Sequence, residues 1–172
     1  MMLSFGEAVR QFYGNYLNAE GRAPRSAYWW VVLYQLIIGL VFVIVILMAD
    51  GGLGIIETIA NSSTIEDPED IMADLGEAWS ALGFSGKAAA YSMVLFSLVN
   101  FIPDIMLRIR RFHDLDKSGW LVLVFFISGN LPLAGLNVLA GLVNLIWFIF
   151  RGTNGSNKYG ADPLGHDANV FR

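Results

Sequence analysis

The sequence predicts an all-α integral membrane protein: a bundle of about four transmembrane helices, the third short and forming a hairpin with the fourth. An N-terminal amphipathic helix and an acidic amphipathic helix in the outer loop complete it. Three observations carry this prediction. The chain is 55% hydrophobic and only 15% charged over its 172 residues, a balance skewed well away from soluble domains. Its apolar residues are gathered into three long runs. Its charges are segregated around those runs: one connection holds eight of the fifteen acids and one base, and the other ten bases lie outside it.

The N-terminal stretch, residues 1–20, reads as an interfacial helix. "SFGEAVRQFYGNYL" opens with Ser4 and places Glu7 three residues on, the pattern of a reciprocal N-terminal cap. Phe5, Val9, Phe12 and Tyr16 then recur at helical spacing. That apolar stripe suits a helix lying on a membrane surface.

The first span is expected over 27–49, "AYWWVVLYQLIIGLVFVIVILMA", which carries no charge and reaches the length needed to cross a bilayer. It starts too late in the chain, and is too long, for the apolar region of a signal peptide. Residues 50–87 follow as an acidic outer loop. They hold Asp50, Glu57, Glu66, Asp67, Glu69, Asp70, Asp74 and Glu77 against one base, Lys87. Within the loop, Asp67 is placed to cap a helix with Pro68 at its first position. Ile71, Leu75, Trp79 and Leu82 would form its apolar face. An acidic helix is repelled by anionic lipid, so this one should pack on the protein itself or on a partner.

The second span is expected over 88–107, and its one acid is Asp104. The uncharged stretch at 119–150 is too long for one helix: its residues would reach roughly 48 Å against a hydrocarbon core of about 30 Å. "SGNLPLAG" at 128–135 interrupts it, and proline there removes a backbone donor. A third helix over 119–130 and a fourth over 133–150 follow; the third either spans with tilt or is re-entrant. Arg10, Arg22 and Arg25 precede the first span, Arg108, Arg110, Arg111 and Lys117 follow the second, and Arg151, Lys158 and Arg172 follow the last. Basic flanks stay cytoplasmic. Both termini, the 108–118 loop and the 151–172 tail are therefore expected inside, with 50–87 in the periplasm.

Three polar motifs fall on that inner side: "GRAPRSAYWW" at 21–30, "RRFHDLDKSGW" at 110–120 and "RGTNGSNKYGADP" at 151–163. In this order around these spans the chain resembles the DUF805 family of small bacterial inner-membrane proteins, from the N-terminal helix to Pro163. The resemblance implies a compact multi-span inner-membrane protein of uncharacterised function and brings no catalytic residues. Two positions depart from the family's pattern. Ala27 stands where an acid is usual, so that one of Arg22 or Arg25 must pair elsewhere. Asp116 stands where glycine is usual, although aspartate tolerates the left-handed conformation better than most residues.

The candidate site residues are Arg22, Arg25, Asp104, Arg108, Arg110, Arg111, His113, Asp114 and Lys117. Arg22 and Arg25 with Tyr28, Trp29 and Trp30 make an interfacial anchor, cations at headgroup level and amphipathic rings at the boundary. Arg108, Arg110 and Arg111 suit the C-terminal end of a helix and, with Lys117, could contact lipid phosphate. Ser97, Asn100, Asp104 and Arg108 share one helical face. An ionisable residue in a span is a functional candidate, though Asp104 one turn before Arg108 also explains itself as an ion pair. His113–Asp114 has its only echo in His166–Asp167, a thin basis for a metal site; hydrogen bonds tying the 110–120 loop to the tail account for it better.

Without cysteine there is no thiolate chemistry. No cofactor is expected and no nucleic acid as partner; membrane lipids, anionic ones included, and a protein partner or a second copy are. The leading expectation is a non-enzymatic accessory or assembly subunit of a larger membrane complex. The alternative is a lipid- or small-solute-handling protein using the Asp104 face and the inner arginines. A metal-dependent hydrolase comes last.

Overall fold

The computed structural model describes residues 3–62, 67–130 and 136–165. Within them the regular secondary structure is helical, apart from one isolated antiparallel bridge between Asn157 and Gly160. Turns and irregular segments run over 15–24, 115–120 and 150–165. Seven helices are described: α1 Phe5–Gly14, α2 Arg25–Met48, α3 Gly52–Asn61, α4 Pro68–Ala81, α5 Phe84–Asp114, α6 Leu121–Asn130 and α7 Leu136–Ile149. Two of them, α2 with 24 residues and α5 with 31, are long and apolar enough to cross a membrane. At 1.5 Å per residue α5 reaches roughly 46 Å, so its apolar part fills a hydrocarbon core with charged turns left over. By the same measure α6 and α7 reach roughly 15 and 21 Å; they pack against each other. The turn expected around Pro132 and Gly135 lies outside the described residues.

The chain divides into two compact units. One comprises residues 1–34 and 100–172, the other 35–99. In the second, α3 packs on α4. Helix α3 was not anticipated, because its sequence "GLGIIETIAN" carries three residues of low helix propensity at its start or end. Helix α4 begins as the sequence indicates: the Asp67 carboxylate accepts the Glu69 backbone N–H at 2.9 Å, with Pro68 at the first helical position. Of the expected apolar face Leu82 is buried, Ile71 and Leu75 are half-buried, and Trp79 sits edge-on to Tyr91 at 5.5 Å. Gly51 is required where it stands. Its φ of 74° is left-handed, and a Cβ there would lie 2.5 Å from the Ala81 carbonyl oxygen.

The first unit holds the core, built from Phe12, Ala23, Ala27, Tyr28, Val31, Leu107, Phe112 and Phe148. Helix α1 contributes Phe12, and Ala8 is buried beside it. Its cap forms in both directions: the Glu7 backbone N–H donates to the Ser4 hydroxyl oxygen, and the Glu7 carboxylate accepts the Ser4 backbone N–H at 2.9 Å. Of the stripe Phe5, Val9, Phe12 and Tyr16, Phe12 enters the core, Val9 and Tyr16 are half-buried and Phe5 is exposed. Tyr13 extends the attachment, its hydroxyl 2.9 Å from that of Tyr34 and donating to Asn100 Oδ1 at 2.9 Å. Around Phe112 the aromatic rings interlock, with Phe148 at 4.9 Å and Phe125 stacked at 5.9 Å.

Helix α5 ends in a Schellman motif. The Lys117 N–H donates to the Phe112 carbonyl at 2.9 Å and the Asp116 N–H to that of His113 at 3.0 Å. Asp116 takes the left-handed position with φ 55°. The aspartate that replaces the family's usual glycine therefore adopts the glycine-like conformation itself.

Candidate functional site

The three polar motifs meet in the first unit, and the Asp114 carboxylate is where they meet. It lies on the last turn of α5, which the Schellman turn fixes. Arg22 approaches from the segment before α2, with Nε and Nη2 at 3.1 and 3.0 Å from Asp114 Oδ1. Arg111, one turn back on α5, donates through Nη1 to Asp114 Oδ2. The side chains are nearly sealed from solvent: Arg22 is 1% exposed, Arg111 0% and Asp114 4%.

Further donors of both arginines go to the end of α7 and the chain after it, while Arg111 Nε has no hydrogen-bond partner. Arg22 donates to the carbonyls of Gly155 and Thr153, each at 2.6 Å. Arg111 Nη2 donates to the carbonyls of Phe148, at 3.3 Å, and Phe150. Planar guanidinium forks suit this work, since one head can serve a carboxylate and carbonyls at fixed angles. The third motif docks through its backbone as well. The Thr153 N–H and hydroxyl donate to the Asp114 carbonyl at 2.8 and 3.2 Å. Gly152 is the close approach that allows this, for a Cβ there would fall 2.0 Å from Asp114 Oδ2.

His113 holds the same motif from the other side. A two-residue turn at Lys158–Tyr159, closed by reciprocal Asn157–Gly160 hydrogen bonds of 3.0 Å, lays the Tyr159 ring flat on the imidazole at 3.8 Å. Asn157 Nδ2 donates to the His113 carbonyl at 2.9 Å. His113 Nδ1 lies 3.2 Å from the Gly21 carbonyl, so Nδ1 carries the proton and Nε2 is left as an acceptor. Among the described residues no three His, Cys, Asp or Glu side chains come together as metal ligands; His166 and Asp167 lie outside them.

A polar cavity of about 310 Å³ adjoins the ion triad. It is lined by Arg25 and Ser26 at the start of α2, by Asp114, and by Arg151, Thr153 and Asp162 of the last motif. Asp162 is fixed by backbone donors, the Gly155 N–H at 3.2 Å and the Leu164 N–H at 2.8 Å. Among the described residues four guanidinium groups, Arg22, Arg25, Arg111 and Arg151, thus stand around two carboxylates. Arg25 lies at the N-terminal, positive end of α2, whereas Arg111 and Asp114 lie at the C-terminal, negative end of α5.

Of the anchor expected at 22–30, Arg22 turns inward, Tyr28 is buried, and Arg25 and Trp30 are exposed. Trp30 Nε1 donates to the Leu3 carbonyl at 2.9 Å. Arg110 is buried with Nη2 lacking a hydrogen-bond partner. Asp104 pairs with Arg108 at 2.7 Å, side chains about a quarter to a third exposed. Asn100 is engaged by Tyr13, and the Ser97 hydroxyl donates to the Met93 carbonyl at 2.9 Å. Lys117 is exposed and stands apart from the triad.

The family model described as "Protein of unknown function (DUF805)" matches residues 16–161, which takes in all three motifs. The chain belongs to the DUF805 family. Two relatives carry the fold's setting. It is 30% identical over 149 residues to "Inner membrane protein YhaI" of Escherichia coli strain K12, covering 87% of this chain and 88% of the relative. It is 26% identical over 149 residues to "Inner membrane protein YhaH" of the same strain, covering 87% and 89%. No solved structure matches. This DUF805 chain is thus an all-helical inner-membrane-type protein with two helices fit to span.

Sequence reasoning picks out Arg22, Arg111 and Asp114 singly but misses that they form one cluster, along with Thr153, Gly152 and Asp162. The usable signal is the Ala27 departure, which leaves an arginine of the first motif in need of an acid; the acid is Asp114.

Proposed function

We propose that the protein is a non-enzymatic multi-pass inner-membrane protein that binds the phosphate-bearing headgroup of an anionic lipid in the cavity between Arg25 and Arg151. The observation that carries this reading is the surplus of guanidinium over carboxylate around that cavity. Arg22 and Arg111 share one carboxylate, so their second charge is balanced by nothing within the triad. An anion placed against Arg25, Ser26 and Arg151 would supply that balance, and basic pockets on the inner face are where headgroups are recognised. In this reading α2 and α5 cross the membrane, α6 and α7 form a hairpin returning to the inner face, and both termini are cytoplasmic, as the distribution of bases suggests.

The test is native mass spectrometry of protein extracted with its surrounding lipid. Wild type should retain phosphatidylglycerol or cardiolipin stoichiometrically. Arg25→Gln with Arg151→Gln should lose it without a change in melting temperature. Equal retention by the variant would overturn the reading.

A second reading, an accessory or assembly subunit, is favoured by α4. Its Asp70 and Asp74 are exposed, as is Met72 at 69%, a mixed acidic and apolar surface suited to a protein partner better than to anionic lipid. A stoichiometric protein partner in the same spectra, lost on charge reversal at Asp70 and Asp74, would move the assignment there.

A further inference from the structure

A second cavity, of about 610 Å³, runs along α5 and α6 and takes no part in the ion triad. Its floor is Phe101, Ile105, Ile109 and His113, successive turns of one α5 face, and α6 supplies Leu123 and Phe126 opposite. At 1.5 Å per residue the floor extends roughly 18 Å from Phe101 to His113, close to the depth of one leaflet of a hydrocarbon core about 30 Å thick.

The groove is graded along that length. The Phe101 end is closed by the edge-on contact of Phe101 with Phe126 at 6.4 Å. At the other end stand the His113 imidazole, Ser118 and the Tyr159 ring. Lys158 Nζ lies 5.0 Å over that ring, and Lys117 is exposed beside Ser118. Trp120, 76% exposed, lines the same end, where amphipathic rings mark a membrane–water boundary. Gly119 keeps this end open: a Cβ there would meet Ile109 Cγ2 at 2.7 Å and His113 Nε2 at 3.1 Å. With Nδ1 turned to Gly21, Nε2 offers the groove an acceptor.

We infer that this groove seats one acyl chain of a phospholipid from the adjoining leaflet, its headgroup at the His113–Ser118 end. Length, apolar floor, an acceptor for a headgroup hydroxyl or ammonium, and the exposed Lys117 for the phosphate all match that occupant, with Lys158 beside it paired to Asp116 at 3.8 Å. A helix of a partner or of a second copy would match the apolar floor but would have no use for the polar and basic end.

The experiment reconstitutes the full chain in liposomes doped with phosphatidylglycerol carrying a diazirine midway along one acyl chain. After irradiation, peptide mapping locates the adducts. Labelling at Ile105, Ile109, Leu123 and Phe126 should exceed that at Leu36 and Leu40, exposed residues of α2, by several-fold. Ile105→Trp fills the groove and should remove the excess while leaving labelling of α2 intact. Leu123→Trp, at a position about half exposed, repeats the test if the first variant does not fold. Uniform labelling of wild type, an excess that survives filling, or protein–protein adducts at the groove would each overturn the inference. The Arg25 and Arg151 variant should keep the excess, since the two sites share no residue.

Discussion

Replacing Asp114 with asparagine isolates what holds the three motifs together. The substitution keeps size and one acceptor oxygen while removing the charge between Arg22 and Arg111, both of them almost fully buried. Removing one partner from a buried ion pair costs about 3–5 kcal/mol, because a desolvated charge is left without compensation. Here two cations lose the same carboxylate, so the upper part of that range, about 4–5 kcal/mol, applies. At about 1.4 kcal/mol per tenfold, the folding equilibrium constant should fall by about three to three and a half orders of magnitude. Arg22→Met should cost less. It leaves a one-to-one Arg111–Asp114 pair and strands the Thr153 and Gly155 carbonyls, a penalty of about 1–3 kcal/mol. The double variant should cost less than the sum of the two by about 0.5–3 kcal/mol. Reversible unfolding in mixed micelles, followed by tryptophan fluorescence, measures all three. A loss below about 1 kcal/mol for Asp114→Asn, or strict additivity, would show the cluster to be solvated and the reasoning mistaken.

Other positions give sharper geometric tests. Gly152→Ala should destabilise the attachment of the last motif and raise proteolysis after Ile149, because its Cβ would overlap Asp114 Oδ2; a protease resistance equal to wild type would count against the docking. Asp104→Asn should change stability by only about 0.3–0.5 kcal/mol, as a partly exposed i,i+4 pair with Arg108 implies. Lost physiological activity at unchanged abundance would instead make Asp104 a working group in the span. The Glu7 carboxyl is held below its ordinary value by the Ser4 backbone N–H first and the Ser4 hydroxyl second. The cap on α1 should therefore hold above the ordinary carboxylate range and weaken as pH falls through the lowered value. Amide exchange along α1 reads this, and Glu7→Gln should remove the pH dependence.

Elements with a strong local signal were legible in the sequence. The charge-free run before Asp50, the Asp67–Pro68 helix start and the Ser4–Glu7 cap each need only neighbouring residues to be read. Helix α3 was not legible, since "GLGIIETIAN" resembles a loop by propensity and is held by packing on α4. The span read over 88–107 lies inside α5, Phe84–Asp114, and Arg108, Arg110 and Arg111 stand in its last turns, the helix end that the sequence predicts for them. Hydropathy marks where a helix leaves the apolar layer, not where its hydrogen bonds stop. An apolar stripe on α1 suits a protein core as well as a membrane surface, and of its four residues Phe12 is the one buried in the core.

The candidate site was legible as a set of residues and illegible as an arrangement. Arg22 and Asp114 stand 92 residues apart, and nothing local distinguishes an arginine at headgroup level from one turned inward. Position relative to the neighbouring backbone decides it. The Ala23 N–H donates to the Arg110 carbonyl at 3.0 Å, which pins the first motif beside the last turns of α5 and brings Arg22 over Asp114. Arg25, three residues on and already in α2, is left exposed at the cavity. Two arginines of identical chemistry therefore stand differently, Arg22 locking the motifs together and Arg25 exposed at the cavity, where the proposed reading puts an anion. That division also limits what any single arginine variant can report: loss of Arg22 removes a structural clamp, and only variants at Arg25 and Arg151 test binding with the clamp intact.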